Sequence, residues 1–341
     1  MKYICSTIWI AFLTGCIERF NPPDLVDTSG IAVAGIITDE TPAEVSLEKP
    51  VQLYDDRRKV IGISGATITI FENSEVFETL TEVEAGLYRG MRIGQSENIY
   101  HMEIELPDQR QIISTPQLLK IKSAKGTLSK EEARQYYIDQ DGNSAPQYGV
   151  NINTYINSDT TSQYYRWTIS GTYIAIAPLD STETPCYVPD YLESYFAIGK
   201  SVSKESDIVS QNICFFNRHK KFFYGYSCEV TQLGLNEDTY EYWKQIDDQQ
   251  NLVGSIFDST PAQIVGNLTF QPDNTPVPGF FEASSERKQR IFIRPTDFEV
   301  APTFVTVQCL PYTPPIDPVW CEDCSLYYTT STRIKPSYWP D

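Results

Sequence analysis

From position 31 to 114 apolar and polar residues alternate in short runs separated by turn-forming residues, which predicts strands at 31–37, 43–47, 66–71, 76–80, 86–88, 99–106 and 111–114. The alternation is clearest where Tyr100, Met102, Ile104 and Leu106 share one face and His101, Glu103 and Glu105 the other, so His101 is expected to face water. About seven strands of this length are what a small immunoglobulin-like or transthyretin-like β-sandwich needs. The same period returns at Val150, Ile152, Thr154 and Ile156, and along a long strand from Tyr164 to Ile176. There Tyr165, Trp167 and Ile169 are expected to face a core, with Tyr164, Arg166 and Thr168 on the other side. Phe222, Tyr224, Tyr226, Cys228 and Val230 repeat the spacing, and further strands are predicted at 265–270, 279–284 and 290–293.

The period changes decisively after Leu235. Asn236 is placed to cap a helix whose Glu237 and Asp238 suit its positive end, and Tyr240, Trp243 and Ile246 recur along one side. A helix over 237–250 is therefore the predicted centre of a larger β-rich second domain, a structural element and not a ligand site. The stretch 116–149 lacks strand periodicity and reads as a linker, in which a capping box of Ser129 and Glu132 predicts a short helix toward Tyr137. Asp139, Asp141 and Asn143 have the look of a calcium loop, but Gly142 comes two positions too early and no closing Glu follows, so a polar turn is expected.

The chain opens with Lys2 and an apolar run over 3–13, too short to span a bilayer, followed by Leu13, Thr14, Gly15 and Cys16. These four residues match a bacterial lipobox, which makes 1–15 a cleaved signal and Cys16 the site of lipid attachment. The alternative is an ordinary secretory signal with a chance cysteine. Acyl chains on Cys16 would contribute about 0.8 kcal/mol per buried CH2, so two or three of them anchor a protein that sits on the membrane rather than in it. The expected organisation is then a lipid-anchored tether at 16–30, the mainly β sandwich at 31–115, the linker at 116–149, the β-rich domain at 150–309 and a Pro-, Tyr- and Cys-rich tail at 310–341.

Removal of the signal takes Lys2, leaving 27 − 1 = 26 basic against 45 acidic residues, a net charge of −19. Nucleic acid is excluded as a partner on that balance, since its phosphates are held by Lys and Arg. The only basic knot, Arg218 to Lys221, reads as a solvated turn. Of eight cysteines Cys5 leaves with the signal and Cys16 is acylated; Cys186, Cys214, Cys228, Cys309, Cys321 and Cys324 remain, an even set that in an exported protein points to up to three disulfides of unread connectivity. Cys321 or Cys324 is expected to staple the tail to the domain, and zinc at this C-x-x-C pair is the alternative. No metal and no cofactor is expected.

Catalytic motifs are missing: the chain has two His, no G-x-S-x-G, no H-E-x-x-H and no phosphate-cradling glycine loop, and no catalytic residue is assigned. Paired carboxylates are the one enzymatic route left, and one of them would need a raised pKa.

Several pieces in a fixed order resemble a known family. They are Val33-Ala34-Gly35-Ile36-Ile37-Thr38-Asp39-Glu40, Ser64-Gly65-Ala66-Thr67-Ile68, Gly86-Leu87-Tyr88, Tyr240-Glu241-Tyr242-Trp243, Gly254-Ser255-Ile256-Phe257-Asp258, Pro261-Ala262, Gly266-Asn267 and Gly279-Phe280-Phe281-Glu282-Ala283-Ser284. Together they are similar to the outer-membrane lipoproteins of Bacteroidota grouped as domain-of-unknown-function family 4249. Thr41-Pro42-Ala43-Glu44 stands where that family commonly has a Pro-Gly pair after the acidic turn. The resemblance implies a surface-associated lipoprotein, frequently encoded beside TonB-dependent transporters, and carries over no functional residue. The expected function is a non-enzymatic accessory or binding subunit of such a transporter or a related outer-membrane β-barrel, facing the cell exterior. The alternative is a structural subunit of an outer-membrane assembly, secretion or motility complex.

Overall fold

A computed structural model describes residues 30–49, 61–122, 125–139, 142–156, 164–177, 184–201, 209–250, 264–303 and 323–340. The signal, Cys16, Cys309 and Cys321 lie outside the described residues. The protein is mainly β. All seven strands predicted before position 115 form, as β1 (Ala32–Thr38), β2 (Glu44–Lys49), β4 (Thr67–Glu72), β5 (Glu75–Thr79), β7 (Leu87–Arg89), β8 (Ile99–Glu105) and β9 (Gln111–Ser114). Short strands β3 (Ile61–Gly62), β6 (Thr81–Glu84) and β10 (Gln117–Leu118) join them. Beyond these come β11 (Thr127–Ile138), β12 (Ser144–Ile156), β13 (Tyr164–Ala175), β14 (Cys186–Lys200), β15 (Val209–Asn217) and β16 (Tyr226–Leu235). Helix α1 (Glu237–Gln250) follows, then β17 (Leu268–Gln271), β18 (Pro276–Val277), β19 (Gly279–Ile293) and the one-turn α2 (Cys324–Tyr327). No described helix is long and apolar enough to cross a membrane.

One sheet runs the length of the described fold in the order β14-β13-β16-β19-β1-β2-β7-β6. Strand β19 joins its halves. Residues 279–284 of β19 pair parallel with β1, while 285–293 pair antiparallel with β16. On one side, β1 and β2 pack against the sheet β18-β17-β9-β8-β4-β5, burying Val33, Ile37, Val45, Leu47, Ile68, Ile70, Met102 and Phe281 in one core. On the other, β13 and β16 pack against the three-stranded sheet β11-β12-β15 around Tyr165, Trp167, Val150, Ile152, Phe216 and Tyr226. The sandwich is thus completed by residues far along the chain: β17 pairs with β9, Leu268 opposite Ser114.

This closure explains the glycines and amide of two family pieces. Gly279 has φ +121°, and a Cβ there would lie 1.7 Å from the Val33 carbonyl oxygen, so only glycine lets β19 start beside β1. Asn267 then acts as a one-residue strand: its Nδ2 donates to Phe281 O at 2.8 Å and its Oδ1 accepts from Phe281 N at 2.9 Å.

The stretch expected as a linker is strand instead. Every residue of β11 is paired with β12, from Thr127 opposite Tyr155 to Ile138 opposite Ser144. Ser129, expected to cap a helix, leaves its hydroxyl buried without a partner. The predicted polar turn joins the two strands, with Gly142 N donating to Asp139 O and Asn143 N to Asp139 Oδ1. A second difference is at Phe222 and Tyr224: Lys220–Phe222 form a 3-10 turn capped by His219, and the strand begins only at Tyr226. Lys221 of the basic knot folds inward onto Asp190 at 2.6 Å, while Arg218, His219 and Lys220 are exposed.

Cys186 and Cys324 form a disulfide that fastens the tail to β14. Tyr187 and Thr332 make an isolated antiparallel bridge beside it, and Trp339 packs edge-on against Tyr187 and Phe292. Cys214 and Cys228 are not bridged: they are buried thiols in the second core, on strands of different sheets, where they pack as small apolar side chains. Burial pushes both thiols upward, Cys228 to about 12. The bridge spans 138 residues of sequence, so Cys186→Ala with Cys324→Ala is expected to lose about 3–5 kcal/mol in denaturant melts, mainly through the freed unfolded chain. A pair of variants that melts like the parent would show that the tail adds nothing to the fold.

Candidate functional site

A cleft of about 590 Å3 opens on one face of the long sheet, under α1. Its floor follows from strand alternation. Phe281 and Ala283 point into the sandwich core, so Phe280, Glu282, Ser284, Glu286 and Lys288 point the opposite way. Pairing then sets rows across neighbouring strands: Thr168 lies opposite Thr231, which lies opposite Lys288, and Arg166 opposite Leu233, opposite Glu286. On the other flank Glu282 is level with Ile36 and Glu44, and Phe280 with Ala34 and Ser46.

Two local structures hold the walls. Helix α1 starts where predicted, with Asn236 Oδ1 accepting from Thr239 N at 2.8 Å and Asn236 Nδ2 donating to Gln117 Oε1 at 2.8 Å, which ties the helix start to β10. The Tyr240 ring packs at a tilt on Tyr164 beneath it, centroids 4.8 Å apart. On the opposite side the turn after β1 grips β19: Glu286 N donates to Asp39 Oδ1 at 2.7 Å, and the hydroxyls of Thr38 and Thr41 donate to Glu286 Oε2 at 2.6 and 2.7 Å.

Between the walls lies a buried ionic group. Arg166 Nη2 donates to Glu282 Oε1 at 2.7 Å, and both side chains are more than nine-tenths buried. Trp243 Nε1 donates to the other oxygen, Oε2, at 2.7 Å, while its ring lies 3.9 Å from the guanidinium carbon. Arg166 Nε is buried without a partner. Lys288 pairs with Glu286 at 2.7 Å, and Glu44 with Arg89 outside the cleft at 2.6 Å. Burial alone would raise Glu286, but the hydrogen bonds from Lys288, Thr38 and Thr41 outweigh it and hold the carboxyl below its usual range. That is opposite to the direction a general acid needs.

The structure corrects the expected role of this face. Tyr164 and Arg166 are buried under α1, not on a wetted side; Tyr240 and Trp243 face the sheet as expected, and Trp243 with Tyr242 also lines the cleft. Sequence alternation separated the two faces of β13 correctly but gave no sign of which one a helix would cover. The signal that was available is Glu282 between Phe281 and Ala283, a charge inside an apolar run. Elsewhere, His101 is half-buried, stacked at 4.7 Å on Phe71, with its Nε2 3.7 Å from Glu103. The one cluster of metal-ligating types among the described residues is Cys186, Asp323 and Cys324, and its two sulfurs are spent on the disulfide, which removes Cys324 from the zinc alternative.

Three of the ordered pieces reach the cleft, through Gly35 and Thr38, Tyr242 and Trp243, and Phe280 and Glu282, while Arg166, Thr231, Glu286 and Lys288 of its lining lie outside them. A family model described as a domain of unknown function (DUF4249) matches residues 18–290. The chain belongs to this family. Comparisons with curated proteins and with solved structures find no match. The matched region covers both halves of the long sheet and ends within β19, before α2 and the disulfide-held tail. The pieces at 33–40, 240–243 and 279–284 fall on β1, α1 and β19, where these three elements meet, while those at 254–258 and 261–262 lie outside the described residues.

Proposed function

We propose that this DUF4249 protein is a non-enzymatic binding subunit, anchored in the outer membrane through acyl chains on Cys16, facing the cell exterior and working beside a TonB-dependent transporter or a related β-barrel. The observation that carries the binding role is the cleft under α1, a mixed apolar and polar concavity of the size that ligand sites have. Its charged groups are arranged to hold position: the two cations lining it each have a carboxylate partner, and Glu286 is kept ionised. The lipid anchoring is supported by Leu13-Thr14-Gly15-Cys16 and the short apolar run before it.

Two measurements test the reading together. Cys16→Ser is expected to shift the protein from the membrane fraction to the soluble fraction, because the described fold offers no spanning helix. The wild-type protein, solubilised from its native membrane with mild detergent, is expected to co-purify with an outer-membrane barrel. Membrane retention of the Cys16→Ser variant in cells lacking that barrel would overturn the anchoring, and recovery of the wild type alone would overturn the accessory role.

A further inference from the structure

We infer that the cleft receives an extended, uncharged polypeptide segment of a protein partner. This rests on the binding role proposed above and names the chemistry of its ligand.

Shape is the first argument. The floor residues come from five adjacent strands, β13, β16, β19, β1 and β2. Four inter-strand steps of about 4.8 Å make a trough about 19 Å long, the length of five or six extended residues. About 590 Å3 over that length leaves room for one chain in single file.

Charge is the second. Arg166 is matched by Glu282, Lys288 by Glu286 and Glu44 by Arg89. A charged segment entering here would lose its hydration with no unmatched partner to replace it, whereas a neutral one would not. The uncharged polar groups of the floor are of the kind that a peptide backbone satisfies. Thr168, Thr231 and Ser46 bring hydroxyls to the lining, each able to donate to a peptide carbonyl or to accept from a peptide N–H.

The state of the aromatic rings separates peptide from sugar. Tyr242 and Phe280 stack on each other at 4.5 Å, and Trp243 has Arg166 over one face and Phe196 and Tyr242 packed edge-on. These faces are spent inside the protein. A pyranose stacks on an open ring face, while the ring edges and the aliphatic Ile36 and Leu233 suit apolar side chains of a peptide. An acyl chain is disfavoured by the threonines and acids of the floor.

The test pans a random heptapeptide phage library against the purified full-length mature protein, with Thr231→Trp and Ser46→Trp, which fill the trough on β16 and on its outer strand β2, as parallel targets. Recovered sequences are expected to be low in charge and to fall at least about tenfold on both filled variants. A synthetic heptapeptide from the winners should shift the Trp fluorescence of the wild type. On that unmutated protein it should also slow amide exchange at 280–288 and in α1, a readout that does not depend on any variant folding. Equal recovery on wild-type and filled proteins, strongly charged winners, or protection away from 280–288 would overturn the peptide assignment. The filled variants, repeated in the membrane co-purification, separate the two readings. Loss of the barrel without cleft-dependent peptides would sink the peptide class and leave the binding role standing; retention of the barrel on both filled variants would remove the cleft from partner binding altogether.

Discussion

Glu282→Ala is expected to destabilise the protein by about 3–5 kcal/mol, the range for removing one member of a buried ion pair. The variant strands Arg166, of which only 7% is exposed, with no carboxylate, and it also removes the acceptor for Trp243 Nε1 and Ser284 Oγ. Because Glu282 sits where β19 passes from β1 to β16, the loss falls on the junction of both cores. The control is Arg166→Met with Glu282→Leu. Apolar replacement of a whole buried pair is often neutral, so the double variant should recover most of the loss even though it changes twice as many residues. Urea melts of the wild type, Arg166→Met, Glu282→Leu and the double variant give the coupling directly, and a double variant no more stable than Glu282→Ala would show that the pair is not what the junction depends on.

The sandwich strands were legible because each has one wet and one buried face. Tyr100, Met102, Ile104 and Leu106 are all buried, and the alternation read from them is the alternation that forms. Helix α1 was legible for a different reason: Asn236 makes the cap its side chain is suited to, and the first turn carries Glu237 and Asp238. Strand β11 was not, because much of it faces water on both sides; Tyr136, Tyr137 and Ile138 are all exposed, so no period-two signal marks it and a chance Ser-x-x-Glu dominated the reading. One of the expected bridges forms, but sequence does not separate half of a bridge from a buried thiol. In an apolar core a thiol packs as well as any small side chain, and Cys214 and Cys228 serve there. The cleft was out of reach for a further reason. It is built from residues more than a hundred positions apart, Arg166 with Glu282 and Thr38 with Glu286, and only the parallel pairing of β1 with β19 brings the latter together.

Trp243→Ala is expected to cost about 3 kcal/mol, the lower end of the range for truncating a buried aromatic, because its ring is only half-buried. The loss has three parts: edge contacts with Phe196 and Tyr242, the stack on Arg166, and the hydrogen bond to Glu282. Trp243→Phe separates them. It keeps a ring over the guanidinium and loses the N–H, so it should cost about 1–3 kcal/mol, the price of leaving a buried oxygen without its donor. Lys244→Ala is the neighbour control: Lys244 pairs only with exposed Asp248 one turn on, and its loss should change stability by less than about 0.5 kcal/mol. If Trp243 served docking alone, Trp243→Ala would melt with the wild type and lose only the barrel in co-purification. A wall residue that also closes the Arg166–Glu282 pair must do both, so the melting midpoint and the partner should be lost together in Trp243→Ala, while Trp243→Phe lowers the midpoint and still retains part of the partner.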